Sequence, residues 1–281
     1  MDLIRVHIEK AGLFTSIQDK GRDGLRYYGI PSSGYMDAIS AELALSIVGN
    51  EPGSSLLEIN QLGPTLRFET SAQVALCGGK MNNNYERNVL HKIPSGHILN
   101  IGSLIEGMRS YLAVRGNWRV KHVFGSSSVY SYDAFSIGRV KAGDYLEIEK
   151  GNSIIPTQTA TTLAIQDFNL IDSIKVIPGP EFEWLNVRSK AAFYKQVFSI
   201  SLQNNRMGAK LTAAPLFSSK NEIPSSAVFP GTLQLLPSGQ IVILLQDGQT
   251  TGGYPRIGII PKKELWKFCQ LKAGQEFLFK E

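Results

Sequence analysis

Along most of the chain, hydrophobic residues come in short runs or alternate with polar ones. Gly, Pro, Asn and Ser cluster between these runs, the pattern of β-strands joined by turns. Leu3–Ile8, Leu56–Ile59, Thr65–Phe68, Val74–Cys77, Ser110–Val114, Tyr145–Ile148, Ile174–Ile177, Thr232–Leu236, Ile241–Leu245 and Glu276–Phe279 all fit strands. The unbroken apolar run Ile241–Leu245 predicts a central strand covered on both faces. A helical period is strong once, where Ile39, Leu43, Ala44, Ile47 and Val48 share one face. Asp37 is its N-cap candidate, and Gly49-Asn50 ends it. Phe182–Val187 and Ser189–Phe193 fit short helical turns, and Lys262–Phe268 fits a short helix opened by Pro261. The expected fold class is mainly β with a few short helices.

Composition narrows this picture. The chain has 281 residues, enough for one large or two smaller domains with a core that needs no disulfide framework. The best internal boundary is the polar stretch 151–162, rich in Ser, Thr and Gln. Ile17-Gln18-Asp19, Ile165-Gln166-Asp167 and Leu245-Gln246-Asp247 are a weak echo, a hint of two related barrels. No apolar run is long enough to cross a membrane as a helix, and the N-terminus lacks a signal-peptide core. With two cysteines, Cys77 and Cys269, the expectation is a cytoplasmic protein with reduced thiols. The net charge of +5 is scattered, which argues against nucleic acid as a partner.

The common catalytic signatures are missing. There is no GxSxG elbow, HExxH pair, P-loop or GxGxxG turn. His7, His91, His97 and His122 have no zinc-ligand spacing, so no metal is expected. Cys77 reads as core packing, and Cys269 has no activating neighbour.

Two segments carry more polar and Gly residues than a turn requires. The first runs from Ile17 through Gln18, Asp19 and Arg22 to Gly24, and resumes at Gly29 to reach Asp37. Its glycines permit close backbone approach to a ligand, and the helix that follows has free N–H groups at its start. The second is Gln246-Asp247-Gly248-Gln249-Thr250-Thr251-Gly252-Gly253-Tyr254-Pro255, after the apolar strand. Its side chains both donate and accept hydrogen bonds, as recognition of an amide or ureido group requires.

The same segments carry a resemblance. The stretches Gly12–Arg22 and Gly29–Asp37, then Pro178-Gly179-Pro180, Asn205-Arg206-Met207-Gly208, Phe229–Gln234 and Asp247–Pro255, run in order along the whole chain. In this the chain resembles the carboxyltransferase-like family that holds the C subunit of 5-oxoprolinase, allophanate hydrolase subunit 2 and the antagonist of the kinase A inhibitor. It is also similar to part of the carboxyltransferase domain of urea carboxylase. Two departures stand out. Gly116-Asn117-Trp118 replaces the family's Gly-Gly-Ile, and Ser127 stands where the family's Gly-Ser-Arg-Ser-Thr stretch has arginine. Serine cannot supply arginine's two parallel hydrogen bonds to a carboxylate.

The resemblance implies cyclophilin-like β-barrels, two packed together, over residues 1–281. It implies the C subunit of a 5-oxoprolinase that opens 5-oxo-L-proline to L-glutamate with ATP. Such a chain is inactive alone and partnered by homologues of the enzyme's B and A subunits. Asp19, Arg22 and Asp247 are then the candidate catalytic residues. Gln18, Asp37, Arg206, Gln249, Thr250, Thr251, Gly252, Gly253 and Tyr254 are the candidate substrate contacts. One alternative is biotin-dependent carboxyl transfer to urea or a similar amide. Gly79-Lys80-Met81 resembles half of a biotinyl-lysine site but lacks the surrounding barrel, so Lys80 reads as a turn lysine. The other alternative is a regulatory protein that binds a kinase inhibitor.

Overall fold

The computed structural model describes residues 3–130, 139–150 and 168–281. The expected boundary stretch 151–162 and the triplet at 165–167 lie outside the described residues. Two compact units emerge. The first holds Met1–Arg22 and Ser33–Phe168, and the second holds Asp23–Ser32 and Asn169–Glu281. A ten-residue piece of the first polar segment therefore belongs with the C-terminal half.

In the first unit, β1 (Leu3–Lys10), β4 (Thr65–Phe68), β7 (Ile98–Asn100), β9 (Asn117–Trp118) and β10 (Tyr145–Glu149) form one sheet, in the order β7-β4-β1-β10-β9. A second sheet has the order β2-β3-β8-β5-β6, built from β2 (Phe14–Gln18), β3 (Leu56–Asn60), β5 (Ala72–Gly78), β6 (Leu90–Ile93) and β8 (Arg109–Val114). Alternate residues of β1 (Ile4, Val6, Ile8) join Leu57, Ile59, Val74, Leu76 and Leu112 of the second sheet in one core. The other face of the second sheet is covered by the helix α1 (Ala38–Val48). Its Ala41, Ala44, Leu45 and Val48 pack on Leu56, Ala75, Cys77, Tyr111 and Ala113. Coverage on both faces explains why β3 and β8 are buried along their whole length. The α1 ends follow the sequence reading: Asp37 accepts from the Ser40 amide, and Gly49 closes the helix at φ 74°.

The second unit is built on an eight-stranded sheet in the order β11-β20-β13-β14-β17-β16-β19-β12. Its strands are β11 (Ser173–Lys175), β12 (Ile177–Pro178), β13 (Phe198–Asn204), β14 (Gly208–Thr212), β16 (Thr232–Leu235), β17 (Ile241–Leu244), β19 (Arg256–Ile259) and β20 (Glu276–Lys280). The apolar run read as a central strand is β17, flanked by β14 and β16. A short ribbon pairs β15 (Ser226–Ala227) with β18 (Thr251–Gly252). Helices α2 (Val187–Lys195) and α3 (Lys262–Gln270) complete the unit. Where the sequence suggests two similar short turns, there is one 3-10 turn (Phe182–Trp184) and then a full helix. Asn186 restarts the chain by accepting from the Ser189 amide at 2.8 Å. The mainly β architecture is as expected, and among the described residues no helix is long and apolar enough to cross a membrane.

Candidate functional site

The first polar segment folds inward. Asp19 is 5% exposed, and its carboxylate accepts from the Gly21 amide (2.8 Å), Ser126 Oγ (2.6 Å), Ser127 N and Oγ (2.6 and 3.1 Å) and Ser128 Oγ (2.6 Å). Ser127 therefore points at Asp19, and its hydroxyl also meets Ser55 Oγ at 2.7 Å. Arg22, equally buried, donates from Nε to the Val123 carbonyl (3.1 Å) and from Nη2 to the Ser128 carbonyl (2.7 Å). Gln18 is fully buried and donates to Ser16 Oγ and the Val129 carbonyl. These residues clamp the 123–129 loop onto the end of β2.

Asp37 caps α1 and lies beside a buried polar cluster. Tyr111 Oη donates to Glu58 Oε2 at 3.0 Å, and the Asp37 amide donates to Tyr111 Oη at 2.7 Å. The Met36 amide reaches the same Glu58 oxygen at 2.9 Å, and Arg109 Nε lies 3.9 Å from Glu58 Oε1. Burial, reinforced by the negative Glu58, pushes the Tyr111 phenol well above its usual range. Lys80 lies 3.7 Å from Glu106, which also receives Arg87, so it sits as an ordinary paired turn lysine.

The second unit brings the other candidates together. Arg206 and Asp247 form a buried two-point pair, Nε–Oδ2 2.9 Å and Nη2–Oδ1 3.3 Å. Above this pair the chain runs through exposed Gln249 and Thr251 to Tyr254, with Thr250, Gly252 and Gly253 half-buried. Gln249 is the joint of a small network. Its Nε2 donates to Gln234 Oε1 at 3.2 Å, and its carbonyl accepts from Arg26 Nη2 at 3.2 Å. The same Arg26 nitrogen also donates to the Val228 carbonyl, and the guanidinium lies 5.4 Å from the Phe229 ring centre. Partial burial lowers the Arg26 pKa from its ordinary value.

Gln234 is 2% exposed on β16, and its Nε2 has no hydrogen-bond partner. It occupies the space beside Gly252, where a Cβ would fall 2.3 Å from that nitrogen. Arg26 Nε and Nη1 are likewise buried without partners. Arg256 grips Glu181 through Nε (3.0 Å) and Nη2 (2.8 Å). Arg26 and Gln234 are not among the candidates read from the sequence. A signal for Gln234 was present, a polar residue inside the apolar strand Thr232–Leu235. Arg26 had none, because its contacts lie about two hundred positions away in the chain, 202 residues at Val228.

Comparison with known proteins agrees with this architecture. The family model "Carboxyltransferase domain, subdomain A and B" matches residues 28–281. The chain is 32% identical to the C subunit of 5-oxoprolinase from Escherichia coli over 281 residues, covering 97% of this chain and 89% of that one. It is 29% identical to urea amidolyase of Saccharomyces cerevisiae, spanning 98% of this chain and 16% of that one. Among solved structures, urea amidolyase of K. lactis superposes with a TM-score of 0.87 at 25% identity, over 98% of this chain and 18% of that chain. Urea carboxylase of Kluyveromyces lactis superposes with a TM-score of 0.86 at 26% identity, over 98% of this chain and 27% of that chain. A family model that spans nearly the whole chain, on a β architecture shared with these enzymes, places the protein in the carboxyltransferase-domain family, subdomain A and B.

Proposed function

We infer that this protein is the C subunit of an ATP-dependent 5-oxoprolinase, which opens the lactam of 5-oxo-L-proline to L-glutamate. The observation that carries this reading is the end-to-end match to the 5-oxoprolinase C subunit, where 89% of the relative is covered. The urea amidolyase match takes in only 16% of that enzyme. The second unit offers suitable chemistry. A lactam whose oxygen ATP activates develops negative charge at that oxygen, and nearby cationic and amide N–H groups stabilise it. Gln234 and Gln249 are such amide donors, and Arg26, in the 3-10 turn Arg26–Tyr28, offers a cation to the substrate's carboxylate. Asp19, Arg22 and Asp247 support this reading as positioning groups, since their charged atoms are engaged within the protein.

The chain acts in the cytoplasm with homologues of the B and A subunits, and is silent alone. Biotin enters only if the complex transfers carboxyl groups to urea or a similar amide. Co-expression tests the assembly: the tagged chain is expected to retain its cognate B-type partner through size-exclusion chromatography at low salt. Elution of the two as separate species contradicts it.

A further inference from the structure

We propose that Arg26 and Gln234 form the polar wall of a ligand subsite on the second unit, for a small molecule carrying a carboxylate beside an amide or lactam carbonyl. Three observations lead there. First, buried polar groups are nearly always hydrogen-bonded, so donors without partners inside a well-packed unit call for an explanation. Here they occur together: Arg26 Nε and Nη1, and Gln234 Nε2. Second, the two residues belong to one network, joined through Gln249. Its carbonyl receives Arg26 and its side-chain amide donates to Gln234. These bonds use Arg26 Nη2 and Gln234 Oε1, which leaves the other N–H groups of both side chains for a ligand. Third, the unused groups are a guanidinium and a carboxamide. The first selects an anionic oxygen and the second a neutral carbonyl oxygen.

Access comes through the ribbon. Gln234 Nε2 is covered by β18, a two-residue strand followed by Gly253. With no side chain at Gly252, the amide packs directly against backbone. This strand pairs with β15 in a ribbon separate from the eight-stranded sheet, so the sheet does not pin it over the amide. Phe229, 52% exposed beneath Arg26, gives the ligand an apolar surface beside the cation.

The choice of 5-oxoproline as probe rests on the function inferred above; the subsite itself rests on the donors. The test is isothermal titration of the full chain, and of the chain assembled with its partners. The ligands are 5-oxo-L-proline, L-proline (carboxylate without lactam carbonyl) and 2-pyrrolidinone (lactam without carboxylate). The expected result is tightest binding of 5-oxoproline. Gln234→Leu is expected to weaken it about tenfold, the equivalent of about 1.4 kcal/mol for one lost hydrogen bond to a charged or strongly polar partner. Arg26→Gln is expected to remove the advantage of 5-oxoproline over 2-pyrrolidinone. Gln234→Glu keeps the side-chain size, replaces the donor with a charge that repels a carboxylate, and serves if Gln234→Leu does not fold. Gly252→Ala is expected to push the amide aside and weaken binding in the same direction.

Unchanged affinity in folded Gln234→Glu and Arg26→Gln overturns the subsite, even if the assembled enzyme hydrolyses 5-oxoproline. Binding that responds to these variants, in a complex without 5-oxoprolinase activity, supports the subsite and removes the inferred reaction. Absence of 5-oxoproline binding to both the chain and the complex overturns the subsite.

Discussion

Arg206 and Asp247 face each other through two nearly parallel N–H···O contacts, with Asp247 0% and Arg206 5% exposed. Main-chain bonds flank the pair: the Asp247 amide donates to the Arg206 carbonyl, and the Leu245 amide donates to the Met207 carbonyl. Together they tie the 205–207 turn to the base of the Gly-rich run. Removing one member of a buried ion pair strands the other charge, whereas replacing both with apolar groups is often nearly neutral. Asp247→Asn is therefore expected to cost about 3–5 kcal/mol. The double variant Arg206→Met, Asp247→Leu should recover most of that loss. Chemical denaturation of the three proteins measures this. A fully stable Asp247→Asn protein that lacks only activity would instead make the carboxylate a chemical participant.

Arg22 gives a contrasting prediction. It donates to the Val123 and Ser128 carbonyls, so its loss should loosen the 123–129 loop. Arg22→Ala is expected to lower stability by about 1.5–3 kcal/mol, the range for hydrogen bonds to charged groups. Proteolysis near the loop should quicken, while KM for substrate in the assembled enzyme stays unchanged. A stable variant with a raised KM would place Arg22 against the ligand.

How far the sequence discloses such roles depends on the residue. The α1 cap was legible, because Asp37 stands just before a clear helical period and Gly49 just after it. Strand β17 was legible because its residues are apolar without interruption. Strand β2 was not: Phe14-Thr15-Ser16-Ile17-Gln18 is polar at three of five positions, yet nearly all of it is buried. Part of this polarity is met by distant partners, such as the Val129 carbonyl for Gln18 Nε2 at 3.5 Å, which no periodicity records. The polar run before Asp37 carries more hydrogen-bonding groups than a turn uses. The surplus is taken up by Ser126, Ser127 and Ser128, more than a hundred residues away in the chain. Arg26 escaped notice for the opposite reason, since residues 23–32 cross into the second unit.

The Glu181–Arg256 pair makes stability depend on pH. The Arg256 side chain and then its backbone amide hold the Glu181 pKa below its ordinary value, outweighing the opposing effect of burial. A carboxylate with a depressed folded-state pKa contributes stability above its unfolded-state pKa of about 4.3, and that contribution is lost as pH falls through the folded value. Glu181→Gln is accordingly expected to be less stable than the native protein at pH 7. The gap should close as pH drops below about 4.3. Urea unfolding between pH 3 and 7 measures it, and a constant gap across that range would remove the pair as the cause.

Cys77 is fully buried between α1 and the second sheet of the first unit, and burial pushes its thiol far above the ordinary range. Cys269 is buried on α3. A thiolate is the reactive form, so both should resist iodoacetamide in the native protein and react in denaturant. Labelling followed by mass spectrometry reads this directly. Rapid native labelling of Cys77 would mean that α1 lifts from its sheet.

The role proposed for this chain is to complete a lactam-opening enzyme. The direct measurement is release of L-glutamate from 5-oxo-L-proline, with and without ATP. It compares the purified chain, its cognate B-type and A-type partners, and all three together. ATP-dependent glutamate is expected only from the complete mixture, and none from this chain alone. A fully assembled complex that yields no glutamate, yet carboxylates urea in the presence of a biotin-carrying partner, would contradict the claim.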